Sequence, residues 1–245
     1  MEKQKMLVVC AHAGDFVRCG GGAIAKYAGE GHEVYVIALS DGIRGEADAY
    51  WKQGGGSVEE CRHIRRWEAE EAARVLGVKS LEFCGYQDHP LSMDAARIEQ
   101  LACRIRAIRP DFIITHDKEA DPLHPDHNLA SDALRTAYTI ASGAGAFCNG
   151  LPVAPRQTPM FGFEPHMTEI SAFKPGLYID ISAVAALKWE AMACFKTQTP
   201  MAARYRRKAE TRADECAGRP GAPDCRYAEA FSTWGAVCMH GHFVW

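Results

Sequence analysis

The run Met6-Leu7-Val8-Val9-Cys10, followed at once by Ala11-His12-Ala13-Gly14-Asp15-Phe16, decides how this chain folds. Five apolar residues without polar alternation fit a strand covered on both faces, as in a parallel sheet between helix layers. The strand does not lead into G-x-G-x-x-G, so the dinucleotide fingerprint is absent. Outward from it, Gly20-Gly21-Gly22 opens a helix through Ala28 that Gly31 ends, and Val34 to Leu39 is a second buried strand. Ser57-Val58-Glu59-Glu60 has the pattern of a capping box, predicting a helix to Leu76 with Gly77 as its stop. Leu81 to Cys84 reads as a third strand. Ile98, Leu101, Ile105 and Ile108 share a helical face before Pro110, Phe112 to Thr115 is a fourth strand, and a helix covers 127 to about 141.

Strands alternating with helices predict right-handed crossovers and an α/β fold, a Rossmann-like three-layer sandwich with a mainly parallel sheet. Beyond residue 143 the pattern loosens. Gly and Pro crowd positions 143–159, strand candidates follow at Met160–Phe163 and Leu177–Ile181, then a helix at Ser182–Phe195 and an Arg-rich helical stretch near Arg204–Arg207. With no repeat and no low-complexity linker, 1–245 reads as a single domain with an elaborated C-terminal third.

Composition narrows the function. The chain is 47% hydrophobic and 24% charged, with a formal net charge of −3. No basic surplus argues for nucleic acid or anionic lipid, and no apolar run approaches the roughly 20 residues of a membrane span. Met1 to Met6 leads straight into a strand without a signal-peptide core, so a cytoplasmic protein is expected. The ten cysteines (10, 19, 61, 84, 103, 148, 194, 216, 225 and 238) contain no C-x-x-C pair and are expected to be small buried hydrophobes. Cys216 and Cys225, flanking a Gly/Pro-rich loop, could meet.

In open α/β sheets, ligands gather at the carboxyl ends of the strands. His12 follows the first strand and Asp15 lies in the turn after it. His124-Pro125-Asp126-His127 opens the helix after the fourth strand. His12, Asp15 and His127 can give a divalent metal three ligands and leave a position open, as in catalytic zinc sites. His124 would face the same cavity, and Asp126 could orient one imidazole through its other N–H. A lone histidine after a strand is usually a turn residue; here two segments, each adding a carboxylate, end buried strands.

These segments resemble the PIG-L/LmbE family of zinc-dependent deacetylases, which carries A-H-P-D-D-E after its first strand and H-P-D-H after a later one. Further matches are Gly21-Gly22-Ala23-Ile24-Ala25, Arg65-Arg66-Trp67-Glu68 and Tyr227-Ala228-Glu229-Ala230-Phe231. The resemblance implies that zinc sits on His12, Asp15 and His127, with His124 beside the developing oxyanion. The family's general base falls at Gly14, so the group that amide hydrolysis needs, typically worth 10²–10⁴-fold, is missing.

A divergent branch of the family, the 4-oxalomesaconate hydratases, is similar in three places: A-H-A-G-D-F, Ser40-Asp41-Gly42-Ile43-Arg44-Gly45-Glu46 and Phe163-Glu164-Pro165-His166. That resemblance implies an enzyme adding water to the C=C of a tricarboxylate 2-oxo acid. Glu46 and His166 would share the acid and base roles, with His124 at an enolate or carboxylate oxygen. Arg44 and Arg65 would bind substrate carboxylates, Arg18 less securely. His89 could also enter the pocket. Tyr50 and Trp51 read as a lid or an interface, Arg204, Arg206 and Arg207 as a solvated face, and the C-terminal third would suit a homo-oligomer. The alternatives are a deacetylase of small N-acyl amino sugars and a non-catalytic metal-binding protein.

Overall fold

The computed structural model describes residues 3–118, 121–146, 148–217 and 224–235. Seven strands form one sheet in the order β3-β2-β1-β4-β5-β7-β6. They are β1 (Lys5–His12), β2 (Glu33–Ser40), β3 (Ser80–Tyr86), β4 (Phe112–His116), β5 (Met160–Phe163), β6 (Leu177–Asp180) and β7 (Ala228–Thr233). Every pairing is parallel except those of β7, which runs antiparallel to β5 and β6.

The helices are α1 (Asp15–Gly29), α2 (Asp48–Lys52), α3 (Val58–Leu76), α4 (Ala95–Ile108), α5 (Pro125–Ser142), α6 (Ala185–Ala193) and α7 (Ala202–Ala217). Alternation along β1 builds the two cores. Met6, Val8 and Cys10 pack with residues of α1, α3 and α6, whereas Leu7, Val9 and Ala11 pack with α4 and α5. Residues 6–10 are fully buried, so the continuous apolar run reflects helix layers on both sides of a central strand. The expected three-layer sandwich is the observed one.

Local chemistry explains the ends of α3. Ser57 Oγ accepts the Glu60 N–H at 3.1 Å, and Gly77 closes the helix at φ +75°, a left-handed conformation that favours glycine.

Several boundaries differ from expectation. Helix α1 begins at Asp15, so Gly20-Gly21-Gly22 lies inside it rather than opening it. Packing is the reason: a Cβ on Gly20 would lie 2.8 Å from the Phe163 ring, and one on Gly22 would lie 2.6 Å from Ile181. The late Tyr227–Phe231 motif supplies most of β7, wedged between β5 and β6. Glu229, on β7, accepts the N–H groups of Gly22 and Ala23 at 2.8 Å each and pairs with Lys188 at 2.6 Å. Helix α6 is shorter than expected at both ends.

Among the cysteines, Cys103 on α4 and Cys148 after α5 form a disulfide with Cα atoms 5.1 Å apart. This corrects the expectation of buried thiols throughout; a separation of 45 residues carries no pairing signal. Cys216 and Cys225 are both free although they pack in one small cluster, and Cys238 lies outside the described residues. Among the described residues no helix is long and apolar enough to cross a membrane.

Candidate metal centre

Helices α1 and α3 cover one face of the sheet while α4 and α5 cover the other, so the connections diverge between neighbouring β1 and β4. Such a switch point opens a crevice at the carboxyl ends of the strands. Four elements converge there: His12 ends β1, Asp15 starts α1, His116 ends β4, and His124 caps α5 with His127 in its first turn.

His12 and Asp15 are fully buried and His127 is 3% exposed. Asp15 Oδ2 lies 3.2 Å from His12 Nδ1 and 3.6 Å from His127 Nε2. These three ligand atoms all fall within 4.8 Å of one another. Metal bonds of about 2.0–2.1 Å in tetrahedral geometry place ligand atoms roughly 3.3 Å apart, so the spacing suits a small divalent ion. His12 Nδ1 and His127 Nε2 are also buried without a hydrogen-bond partner among the described residues. Two orphaned imidazole nitrogens aimed at one carboxylate oxygen are what a cation would satisfy.

The other side of each ligand is held. His12 Nε2 faces Asp126 Oδ2 at 3.3 Å, and His127 Nδ1 faces Asp121 Oδ2 at 3.7 Å. Asp126 is fixed in turn by the N–H groups of His89 and Leu91, at 2.8 and 2.9 Å. Asp15 Oδ1 pairs with Arg18 Nη2 at 2.7 Å. Carboxylates behind metal-binding imidazoles set tautomer and raise ligand basicity. Burial opposes charge on His12, but Asp15 and Asp126 outweigh it and push the imidazole up to about 10. Burial acts on Asp15 too, yet His127 and His12 hold its carboxyl well below the usual range.

Glu46 comes in from the loop after β2. That loop is gathered by Asp88, whose carboxylate accepts the N–H groups of Ile43, Arg44 and Gly45 at 2.8–3.0 Å. Gly42, at φ +70°, makes the turn; a Cβ there would stand 2.8 Å from Arg65 Nη2 and 3.2 Å from His12 Cβ. Glu46 Oε2 is ion-paired with Arg18 Nη2 at 2.6 Å and accepts from Gln198 Nε2 at 2.7 Å. Burial disfavours its charge, but Arg18 and His12 keep the carboxyl well below its ordinary value. One guanidinium thus joins Glu46 to the carboxylate of the metal group.

His166 enters from the opposite side. Glu164 anchors its loop to α7 through Arg212 Nη2 at 2.7 Å and Lys208 at 3.3 Å. The His166 ring lies 4.8 Å from that of His124 and 5.3 Å from that of His127. Its Nδ1 bonds the Tyr205 hydroxyl, and its buried Nε2 has no partner among the described residues. Burial, with Arg18 and His127 nearby, pushes His166 well below 6.5, so it is neutral at physiological pH.

The expected substrate arginines separate. Arg65 is fully buried, donating from Nε to Asp41 O at 3.0 Å and from Nη1 to Thr197 Oγ1 at 3.3 Å, while Nη2 has no partner among the described residues. Arg44 is exposed at the rim, with Nη1 3.4 Å from His89 O. His89 stacks on His12 with ring centroids 5.3 Å apart. Tyr50 and Trp51 pack with Ile43, Ala47 and Cys61, and Trp51 Nε1 donates to Ile43 O at 2.8 Å. Arg204 braces His166 O at 2.6 Å, while Arg206 and Arg207 are exposed.

Sequence reasoning missed four contributors: His116, Gln198, Tyr205 and Asp121. His116 extends β4 by one residue beyond the expected end; its Nε2 accepts the Ala11 N–H at 2.9 Å, and its ring stacks on His127 at 3.9 Å. A strand running one residue further was the available signal. Gln198 and Tyr205 carry none.

With this geometry in hand, comparison with known proteins is informative. The PIG-L family model, GlcNAc-PI de-N-acetylase, matches residues 7–138. A 4-oxalmesaconate hydratase of Pseudomonas putida is 33% identical over 94% of this chain and 89% of its own length. The crystal structure of GalB, the 4-carboxy-2-hydroxymuconate hydratase from Pseudomonas putida KT2440, superposes with a TM-score of 0.90 at 32% identity, covering 98% of this chain and 99% of that one. The N,N'-diacetylchitobiose deacetylase from Pyrococcus horikoshii superposes with a TM-score of 0.80 at 25% identity, covering 95% and 84%.

Proposed function

The chain belongs to the PIG-L family, and we propose that within it this protein is a zinc-dependent hydratase, adding water to the C=C of 4-oxalomesaconate to give 4-carboxy-4-hydroxy-2-oxoadipate. The observation that carries the proposal is the exchange of carboxylates at the site. Position 14 has no side chain, while Glu46 stands one guanidinium away from Asp15.

His12, Asp15 and His127 would hold the ion, a nitrogen and oxygen set that suits zinc. When bound, zinc supplies Lewis acidity, polarising a substrate carbonyl and offsetting the charge that develops on its oxygen. The rest falls to the chain's own groups. Glu46, kept ionised, takes a proton from water; its ion pair with Arg18 and its hydrogen bond from Gln198 both fall on Oε2, which favours Oε1 for that task. His166, its ring fixed at Nδ1 by Tyr205, is neutral in the free site and would enter as the imidazolium, which the substrate's carboxylates favour, to give its Nε2 proton to carbon. The proton gained at Glu46 balances the one delivered. His124 lies beside both metal-group and His166 rings, where it can donate to an enolate or carboxylate oxygen. Arg65, through Nη2, and Arg44 at the rim would bind carboxylates of the tricarboxylate substrate.

The test is a purified-protein assay following loss of the conjugated dienol absorbance, with and without a chelator. Turnover that ignores metal removal would sink the mechanism. Release of acetate from N-acetylglucosamine derivatives, without hydration, would favour a deacetylase instead.

A further inference from the structure

We propose that Gln198 is the positioning residue that aims Glu46, and that position 14 is glycine because Gln198 stands where a side chain there would. The inference rests on the reading of Glu46 given above, and extends it to a residue outside every motif in the sequence.

Gly14 precedes α1 at φ −98°, a conformation any residue adopts, so backbone geometry does not call for glycine. Space does. A Cβ at 14 would lie 3.1 Å from Gln198 Oε1, 3.6 Å from Phe195 Cε1 and 3.7 Å from Arg18 Nη2. The first of these is tighter than ordinary van der Waals contact, so Gln198 must yield by a few tenths of an ångström. The other arm of the same amide, Nε2, is the donor to Glu46 Oε2 at 2.7 Å. A push on one arm is therefore a push on the hydrogen bond made by the other.

The backbone of Gln198 cannot absorb that push. On one side, Glu68 Oε1 accepts the N–H groups of Lys196 and Thr197 at 2.6 and 2.9 Å. On the other, Thr199 donates its N–H and its hydroxyl to Asp48 at 3.0 and 2.6 Å. Gln198 itself is 9% exposed, so no open solvent lies beside it to receive the displaced amide. With both ends of the loop clamped, only the side chain moves, and Glu46 moves with it. A bond from an amide to an ionised carboxylate is directional as well as strong. Together with Arg18 on the same oxygen, it fixes which carboxylate oxygen faces the reactants. Reacting groups must be held within about 0.5 Å, so a shift of a few tenths of an ångström takes up most of that margin and should cost less than loss of Gln198 altogether.

The experiment is a double-mutant cycle on Gly14→Ala, Gln198→Ala and the pair, with crystal structures of both single variants. Gln198→Ala should lower kcat for hydration roughly ten- to a hundred-fold, the loss of one charge-assisted hydrogen bond, with KM and zinc content close to wild type. Gly14→Ala should lower the same parameter. The pair should be no worse than Gln198→Ala alone, because both act through one contact. In each single-variant structure the Glu46 carboxylate should be displaced. A Glu46 that keeps its position without Gln198, or effects of the two substitutions that multiply, overturns the inference. Should the wild type hydrate no 2-oxo acid, the proposed function falls, while the two structures still decide whether Gln198 aims Glu46.

Discussion

Replacing Arg18 by Met tests the electrostatic frame of the site. The guanidinium is 6% exposed, and Nη2 lies 2.7 Å from Asp15 Oδ1 and 2.6 Å from Glu46 Oε2. Methionine keeps most of the stem and removes the charge, leaving two buried carboxylates with no cation between them. At an effective dielectric of about 20, charges 2.7 Å apart attract by roughly 6 kcal/mol. Desolvation offsets part of this, and breaking a buried pair from one side costs about 3–5 kcal/mol. Metal-free Arg18→Met should therefore be about 3–5 kcal/mol less stable at pH 7. The deficit has a definite pH dependence. Burial works against charge on Glu46, and Arg18 overrides it, holding the folded-state carboxyl below its unfolded value. A depressed carboxyl contributes stability above the unfolded value, about 4.3, and loses it as pH falls toward the folded one. The gap between variant and wild type should thus be widest near neutrality and narrow as pH falls below about 4. Urea unfolding with chelator present, across that range, measures it. A gap under about 1 kcal/mol at pH 7, or one that widens on acidification, would refute the reasoning.

Three further outcomes follow from the same geometry. Asp15→Asn and His127→Ala should each abolish stoichiometric zinc binding, read by metal analysis after dialysis, whereas Glu46→Gln should keep about one zinc per chain and lose turnover. Gly42→Ala should destabilise the fold by about 1–3 kcal/mol, because a Cβ at φ +70° meets Arg65 and His12; thermal unfolding checks it. Burial, with His127 beside it, holds His116 down at about 4. The unfolded chain takes up that proton first, so metal-free protein should lose up to about 3 kcal/mol on going from pH 6.5 to about 4, measured by urea unfolding.

The fold was legible where burial forces composition. Residues 6–10 and 34–39 could only be covered strands, and Ser57 with Gly77 bracketed α3 correctly, because cap chemistry is local. The meeting of His12, Asp15 and His127 was legible for a related reason: they sit where strands deliver polar residues to one edge, next to apolar runs that announce those strands. What failed was long-range. The glycines inside α1 look like a helix start until Phe163 and Ile181, from far along the chain, are seen filling the space beside them. Gln198 and Tyr205 lie on a loop and a helix with no motif; only the folded chain brings them to Glu46 and His166. Arg44 and Arg65 looked equivalent as substrate cations, but Arg44 is exposed at the rim and Arg65 is fully buried.

The carboxylate of Glu229 has a consequence for how the candidate metal group is held. It bonds backbone groups of α1 across 207 and 206 residues of chain. Helix α1 carries Asp15, so one residue of the candidate metal group rides on an element tied to a strand more than 200 residues further along the chain. The Glu229 carboxylate is thus a long-range tie on a helix that also packs against β1, α3 and α6, and it joins the candidate metal group to the far side of the sheet. Glu229→Ala, which removes that tie, should make α1 more open to protease and weaken zinc binding together.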